Sequence, residues 1–267
     1  MVGRLARCHD QRMGLFDVEA EAYVRFMGRF SAPLSGPFAE IGLAGVDPSA
    51  RVLDVGCGPG VLTCELVKRQ GESRVSAIDP VESFVRATAA SYPGVDVRGG
   101  TAEDLPFADG AFGAALAQLV VHFMRDPVAG LREMVRVTAP GGRVSACVWD
   151  HAGGTGALSG FWRVVLRCDP QARGEAALPG STAGDLAGLF VEAGLREVDE
   201  TLLSVRREFA TFEEWWQPFT LGAGPAGAYV RGLNQIERVG LEVALREEYG
   251  DGPVVIEAGA WTATGLV

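Results

Sequence analysis

The residues with the clearest chemical potential lie in one run, Val52-Leu53-Asp54-Val55-Gly56-Cys57-Gly58-Pro59-Gly60. An apolar stretch running into glycines and then into a helix-forming segment brings backbone close to a ligand at the carboxyl end of a strand. Gly56 and Gly58 remove the side chains that would block approach, and Gly60 lets the chain turn into a helix from Val61. A dinucleotide site asks for G-x-G-x-x-G, whereas these glycines run G-x-G-x-G and Val61 takes the place of the third. Asp54 points the same way, because a carboxylate beside the loop repels a pyrophosphate and attracts a cation.

Such a loop suits S-adenosylmethionine, which carries an ammonium, a carboxylate and a sulfonium but no phosphate; glycine amides are expected to grip one end of it. A second polar cluster follows the apolar run AQLVV. His122 there can accept a proton near neutral pH or serve as a structural histidine. Gln118 can bond the ligand or pack. In the N-terminal segment Tyr23, Met27 and Arg29 recur at roughly helical spacing, as in a lid in which Arg29 meets the ligand carboxylate, or as core residues with a solvated Arg29. Trp149, Phe161, Trp162, Trp215, Trp216 and Phe219 can line an apolar acceptor pocket or simply pack.

The elements that must position these groups read as alternating short apolar runs and amphipathic stretches from Arg51 to Cys147: RVLDV, VLTCELVKRQ, VSAI, VESFVRATAASY, VDVR, FGAALAQLV, PVAGLREMVRVT and RVSACVW. That alternation predicts parallel strands with crossover helices, and the continuous apolar strands predict a sheet covered on both faces. The fold expected is a doubly wound α/β, Rossmann-like mixed sheet, mostly parallel with an antiparallel last strand, plus a helical cap. Pro80 is placed to open a helix, Asp126 to cap the next, and Pro140-Gly141-Gly142 to end it. Two helices are expected before residue 45, at VEAEAYVRFMGRF and GPFAEIGLAG. Three units are expected: an N-terminal helical lid at 1–45, a cofactor-binding core at 46–150, and at 151–267 the rest of the sheet with cap insertions.

Composition narrows the function. The chain has 267 residues and a formal net charge of −10, which disfavours nucleic acid as a partner. Lys68 is the only lysine among 24 basic residues, so a phosphate loop of the GK[ST] type is absent. Five cysteines occur without a C-x-x-C pair, and the three histidines share no ligand spacing, so neither disulfides nor a metal is expected. No G-x-S-x-G elbow occurs, and no apolar run is long enough to span a membrane. A cytoplasmic location is expected, and oligomeric state is left open.

V-L-D-V-G-C-G-P-G resembles motif I of the class I S-adenosylmethionine-dependent methyltransferases, in particular the group similar to quinone-biosynthesis C-methyltransferases. The resemblance covers roughly residues 20–150. It implies that Asp79, ending VSAID, accepts both ribose hydroxyls, with Pro80 and Phe84 against adenine. Thr101-Ala102-Glu103-Asp104-Leu105-Pro106-Phe107 resembles D-A-E-x-L-P-F, which implies adenine-edge recognition by Thr101, Ala102 and Glu103. The chain departs from the pattern at Thr101, where Asp is common, and at Gly113, where S-F-D has Asp. The implied reaction is in-line methyl transfer to a small, partly apolar acceptor. The alternatives are a cofactor-binding or regulatory protein without turnover, and a nicotinamide oxidoreductase.

Overall fold

The computed structural model describes residues 20–267. Its centre is a seven-stranded sheet in the order β3-β2-β1-β4-β5-β7-β6. The strands are β1 (Val52–Val55), β2 (Val75–Asp79), β3 (Asp96–Gly99), β4 (Phe112–Gln118), β5 (Thr138–Trp149), β6 (Arg196–Phe209) and β7 (Val254–Leu266). Pairings from β3 through β5 are parallel, and β7 runs antiparallel to both β5 and β6. The last strand is thus the antiparallel one, as expected. The order reverses at β1, whose neighbours are β2 and β4, and in such sheets the carboxyl ends at that switch point open a crevice.

Helices cover both faces of the central strands, and every residue of β1 and β2 is buried. In chain order the helices are α1 (Ala20–Tyr23), α2 (Arg29–Gly42), α3 (Val61–Gln70), α4 (Glu82–Ser91), α5 (Pro127–Val137), α6 (Ser159–Cys168), α7 (Asp185–Glu192), α8 (Phe212–Trp216), α9 (Gly224–Gly232) and α10 (Gln235–Tyr249). The stretch between β5 and β6 contributes α6 and α7; that between β6 and β7 contributes α8 to α10. No helix among the described residues is long and apolar enough to cross a membrane.

Three local expectations are corrected. The two predicted N-terminal helices form one continuous run: α1 passes through a π-helical turn, Val24–Gly28, into α2, which contains Pro33 and Pro37. Packing outweighs the two lost amide donors, since Phe30, Leu34 and Phe38, one turn apart, are all fully buried. The part of that prediction before residue 20 lies outside the described residues. Pro80 does not open α4; Val81 is extended and the helix begins at Glu82.

Pro140-Gly141-Gly142 does not end α5 either. That helix, capped as expected by the Asp126 carboxylate accepting from the Ala129 amide, stops at Val137. Thr138 already pairs with Phe112, and the next register pair is Ala114 with Arg143, so the Pro-Gly-Gly run is an irregularity inside β5. Pro140 has no amide to give the ladder and Gly141 sits at φ +78°, where its amide reaches the Val267 carbonyl instead.

Candidate functional site

The glycine loop leaves β1 at the switch point and turns straight into α3. Gly56, Gly58 and Gly60 all have positive φ (71°, 52° and 90°). The three differ in what a side chain would meet. A Cβ at Gly56 would lie 2.5 Å from Val120, whereas over Gly58 the nearest atom is the edge of the Tyr23 ring at 4.0 Å. Gly58 therefore forms an open floor, and Gly60 is the left-handed residue that starts α3.

The expectation that glycine amides grip a ligand is not met. The Gly56 and Cys57 amides both donate to the Ile78 carbonyl at 2.8 and 3.0 Å, the Gly58 amide donates to Asp79 Oδ2 at 2.8 Å, and the Gly60 amide donates to the Cys57 carbonyl. The loop spends these donors on its own shape. What it leaves to a ligand is space, walled by acceptors.

Those acceptors converge. Ser31, Asp54 and Gln118 line one part of the cleft beside Gly56, Cys57 and Gly58. Asp54 is 1% exposed; its Oδ2 takes the Thr63 hydroxyl at 2.6 Å, and its Oδ1 is buried without a partner. Gln118 donates to the Ser31 carbonyl at 3.0 Å, which leaves its Oε1 equally unpartnered, as is the Ser31 hydroxyl. Burial raises Asp54 to about 7 despite the Thr63 bond. Two oxygens lacking donors in one pocket define a place for a donor, and best for an ammonium.

Next along the cleft, Tyr23, Gly58, Asp79, Pro80, Phe84 and Phe123 surround about 490 Å³ of space continuous with solvent. Asp79 is held by the amides of Gly58 and Val81, one on each oxygen, and burial raises it to about 6. Each oxygen keeps a second lone pair for a diol. Tyr23 and Phe84 lie 5.2 Å apart, ring to ring. Beyond Pro80 the cleft continues between Thr101, Ala102, Glu103 and Met124. Here Glu103 Oε1 accepts the Arg125 and Asp126 amides, so it shapes the approach to α5 as well as facing the cleft.

At the inner end, a chamber is lined by Tyr23, Phe26, Met27, Leu119, His122, Phe123, Trp149, Leu158 and Glu175, among others. His122 is buried there, on the short turn that follows β4. Arg29 is not brought to the cleft. Its guanidinium donates to the Phe26 and Trp215 carbonyls at 2.8 and 2.7 Å and lies over Phe30 and Phe209, fixing α8 to α2. Of the six aromatic candidates, Trp149 and Trp162 line cavities, whereas Phe161, Trp215, Trp216 and Phe219 stack among themselves in the cap.

Three residues of the site carried no sequence signal. Ser31 falls in the gap between two predicted helices. Glu175 belongs to a glycine-rich connection. Leu119 adopts φ +61°, a conformation its residue type gives no hint of, and it lines all three inner parts of the cleft. Backbone held this way clusters at functional sites. No group of three or more potential metal ligands occurs among the described residues.

Residues 53–146 match the methyltransferase domain family. An uncharacterized methyltransferase of Mycobacterium tuberculosis is 38% identical over 100 residues, covering 38% of this chain and 40% of that protein. A demethylmenaquinone methyltransferase of Mycolicibacterium vanbaalenii is 41% identical over 102 residues, 38% of this chain and 43% of its own. The chain thus spans about two fifths of the length of these curated relatives. Among solved structures the YcgJ protein of Bacillus subtilis superimposes with a TM-score of 0.56 at 17% identity, covering 88% of this chain and 97% of that one, which shows a shared fold.

Proposed function

We propose that this chain, residues 53–146 of which match a methyltransferase domain family, is a class I methyltransferase that transfers a methyl group from S-adenosylmethionine to a small, partly apolar acceptor by in-line displacement. The observation that carries this reading is the pair of buried, unpartnered oxygens, Asp54 Oδ1 and Gln118 Oε1, on two residues that line the cleft beside Gly58. They fit the ammonium of the cofactor, and their carboxylate would repel a pyrophosphate in the same place.

The remaining contacts follow from position. Asp79 accepts the ribose hydroxyls on its free lone pairs, Pro80, Phe84 and Tyr23 close over the nucleoside, and Thr101, Ala102 and Glu103 meet the adenine edge. When bound, the cofactor supplies a sulfonium that makes its methyl electrophilic. The chain supplies orientation and water exclusion. Phe26, Met27, Phe123 and Trp149 line a small apolar cavity that suits the reacting end of an acceptor, and His122 beside it accepts a proton from an attacking hydroxyl. The similarity to a demethylmenaquinone methyltransferase supports a small-molecule acceptor with an apolar body.

Calorimetry with S-adenosylhomocysteine and with NADH tests the reading. Micromolar binding of the former and none of the latter is expected. Binding of NADH alone would move the protein to the oxidoreductases, and tight cofactor binding without methyl transfer to any acceptor would favour a regulatory role.

A further inference from the structure

A second, larger chamber adjoins the aromatic one. The two share Glu175 as a wall, and His151, which faces the second, lies 5.8 Å ring to ring from His122, which faces the first. The second chamber encloses about 790 Å³ of space open to solvent, and its polar lining is His151, Ser159, Trp162, Arg163, Arg167 and Glu175.

Several of these groups lack partners. His151 is only 7% exposed, yet neither ring nitrogen has a hydrogen-bond partner, and the Ser159 hydroxyl is buried in the same condition. Burial lowers His151 to about 4, against the opposing charge of Asp150, so at neutral pH it is an uncharged imidazole with an unused N–H. A buried polar group left unpaired forfeits the hydrogen bonds it would make to water. That cost is removed by a ligand that accepts hydrogen bonds.

Charge points to the same ligand. Ser159, Arg163 and Arg167 stand at i, i+4 and i+8 on one face of α6, whose N-terminal end opens at Ser159. Arg163 and Arg167 share one carboxylate, Glu248, at 3.2 and 2.9 Å, which leaves one positive charge uncompensated. Among the described residues, Glu175 is the only acidic side chain in the lining. It already accepts the Trp162 indole N–H at 2.6 Å, and burial lifts it to about 7, so beside an anion it holds its proton and becomes another donor.

We infer that this chamber is the tail subsite for the methyl acceptor, holding a carboxylate or other oxyanion on His151, Ser159 and the Arg163–Arg167 face while the reacting atom reaches into the aromatic chamber. The inference rests on the methyltransferase reading for the word acceptor, but not for the oxyanion.

The test uses probes that share one ring and differ in the tail: 4-hydroxyphenylacetate, 4-hydroxybenzyl phosphate, 4-hydroxyphenylacetamide and tyramine. Each is titrated into the full chain with and without saturating S-adenosylhomocysteine, by calorimetry and by the imidazole C–H resonances, with His151 assigned through His151→Gln. The carboxylate or the phosphate should bind at least ~10-fold more tightly than the amide and shift the His151 resonance, and the tighter of the two identifies the natural tail. Arg163→Gln combined with Arg167→Gln should remove most of that preference. Both side chains are more than half exposed, so the double variant is expected to fold. The subsite is overturned if tyramine or the amide binds equally well, if no probe binds, or if His151 is unmoved. Failure of S-adenosylhomocysteine to bind would instead defeat the methyltransferase reading, and the tail preference is then read from the unloaded protein.

Discussion

The Asp79 carboxylate and the Gly58 amide, 21 residues apart in the chain, are joined by a 2.8 Å hydrogen bond that ties the end of β2 to the crown of the glycine loop. With the Val81 amide on its other oxygen, Asp79 sets the loop's shape before any ligand arrives. Binding and stability are therefore coupled at one residue. Asp79→Asn leaves a single carbonyl oxygen for two N–H donors and turns an NH₂ against one of them. Since a hydrogen bond to a charged group contributes ~1.5–3 kcal/mol, urea denaturation should show a loss of about 2 kcal/mol, with a fall of at least ~10-fold in affinity for S-adenosylhomocysteine. Unchanged affinity would remove Asp79 from the ribose site.

The pH dependence has a definite sign. Burial raises Asp54 to about 7, Asp79 to about 6 and Glu175 to about 7, all above ordinary carboxylate values. A carboxyl raised in the folded state favours the fold below its unfolded value of ~4, and that contribution is lost as pH rises through the folded value. Without ligand, these groups should lower stability progressively between about pH 4 and about pH 7. An ammonium beside Asp54 favours the ionised form, so cofactor affinity should rise over the same window and binding should release protons. Calorimetry in buffers of different ionisation enthalpy reads that release, and Asp54→Asn should flatten it. A pH-independent affinity would place the ammonium elsewhere.

The parts of the site legible in sequence were those whose residue types are forced by backbone or by charge. Gly56, Gly58 and Gly60 announce positive φ because few other residues tolerate it, and Asp54 and Asp79 announce themselves as charges in apolar strands, one residue before the end of β1 and at the end of β2. The central strands were legible because they are buried on both faces, as in β1, β2 and β4. Donor bookkeeping was not legible: the sequence cannot say that the loop amides are consumed by Ile78 and Asp79, or that Arg29 turns toward the Trp215 carbonyl. The continuity of the N-terminal helix through Pro33 and Pro37 was hidden because burial of Phe30, Leu34 and Phe38 decided it.

Leu119 offers a test of backbone strain at the junction of the cleft and the aromatic chamber. At φ +61° a residue with a Cβ is strained and glycine is not. Leu119→Ala and Leu119→Gly remove the same packing to within one methyl group, so their difference reads the backbone. Leu119→Gly should be the more stable by roughly 1 kcal/mol, the reverse of the usual order inside regular elements. Equal stability, or an advantage for alanine, would show that the conformation costs nothing.

Gly113 has a local explanation that can be undone. A Cβ there would lie 2.7 Å from Ala50 Cβ and 3.5 Å from Val46 Cγ1, so the loop before β1 has closed onto the space an aspartate would need. Gly113→Asp should cost ~1–3 kcal/mol by overpacking. It should leave S-adenosylhomocysteine affinity unchanged, and adding Ala50→Gly should recover part of the stability. A gain in cofactor affinity in the single variant would mean instead that the departure from S-F-D had weakened the site.

Arg29 separates a structural role from a binding one. Its guanidinium sits over Phe30, Phe209 and Phe219 at 4.9–5.5 Å and gives hydrogen bonds to the Phe26 and Trp215 carbonyls, and burial lowers it to about 9. Arg29→Met keeps the apolar stem but strips the donors and the charge, leaving the Trp215 carbonyl near the end of α8 without its partner. The expected loss is about 2–3 kcal/mol in chemical denaturation, the range of a charged hydrogen bond broken in a buried place. S-adenosylhomocysteine affinity should change by less than ~3-fold once the folded fraction is accounted for, because that guanidinium faces the cap. A residue that held the cofactor carboxylate would show the opposite pattern, a large loss of affinity at nearly constant stability, and that result would return Arg29 to the site.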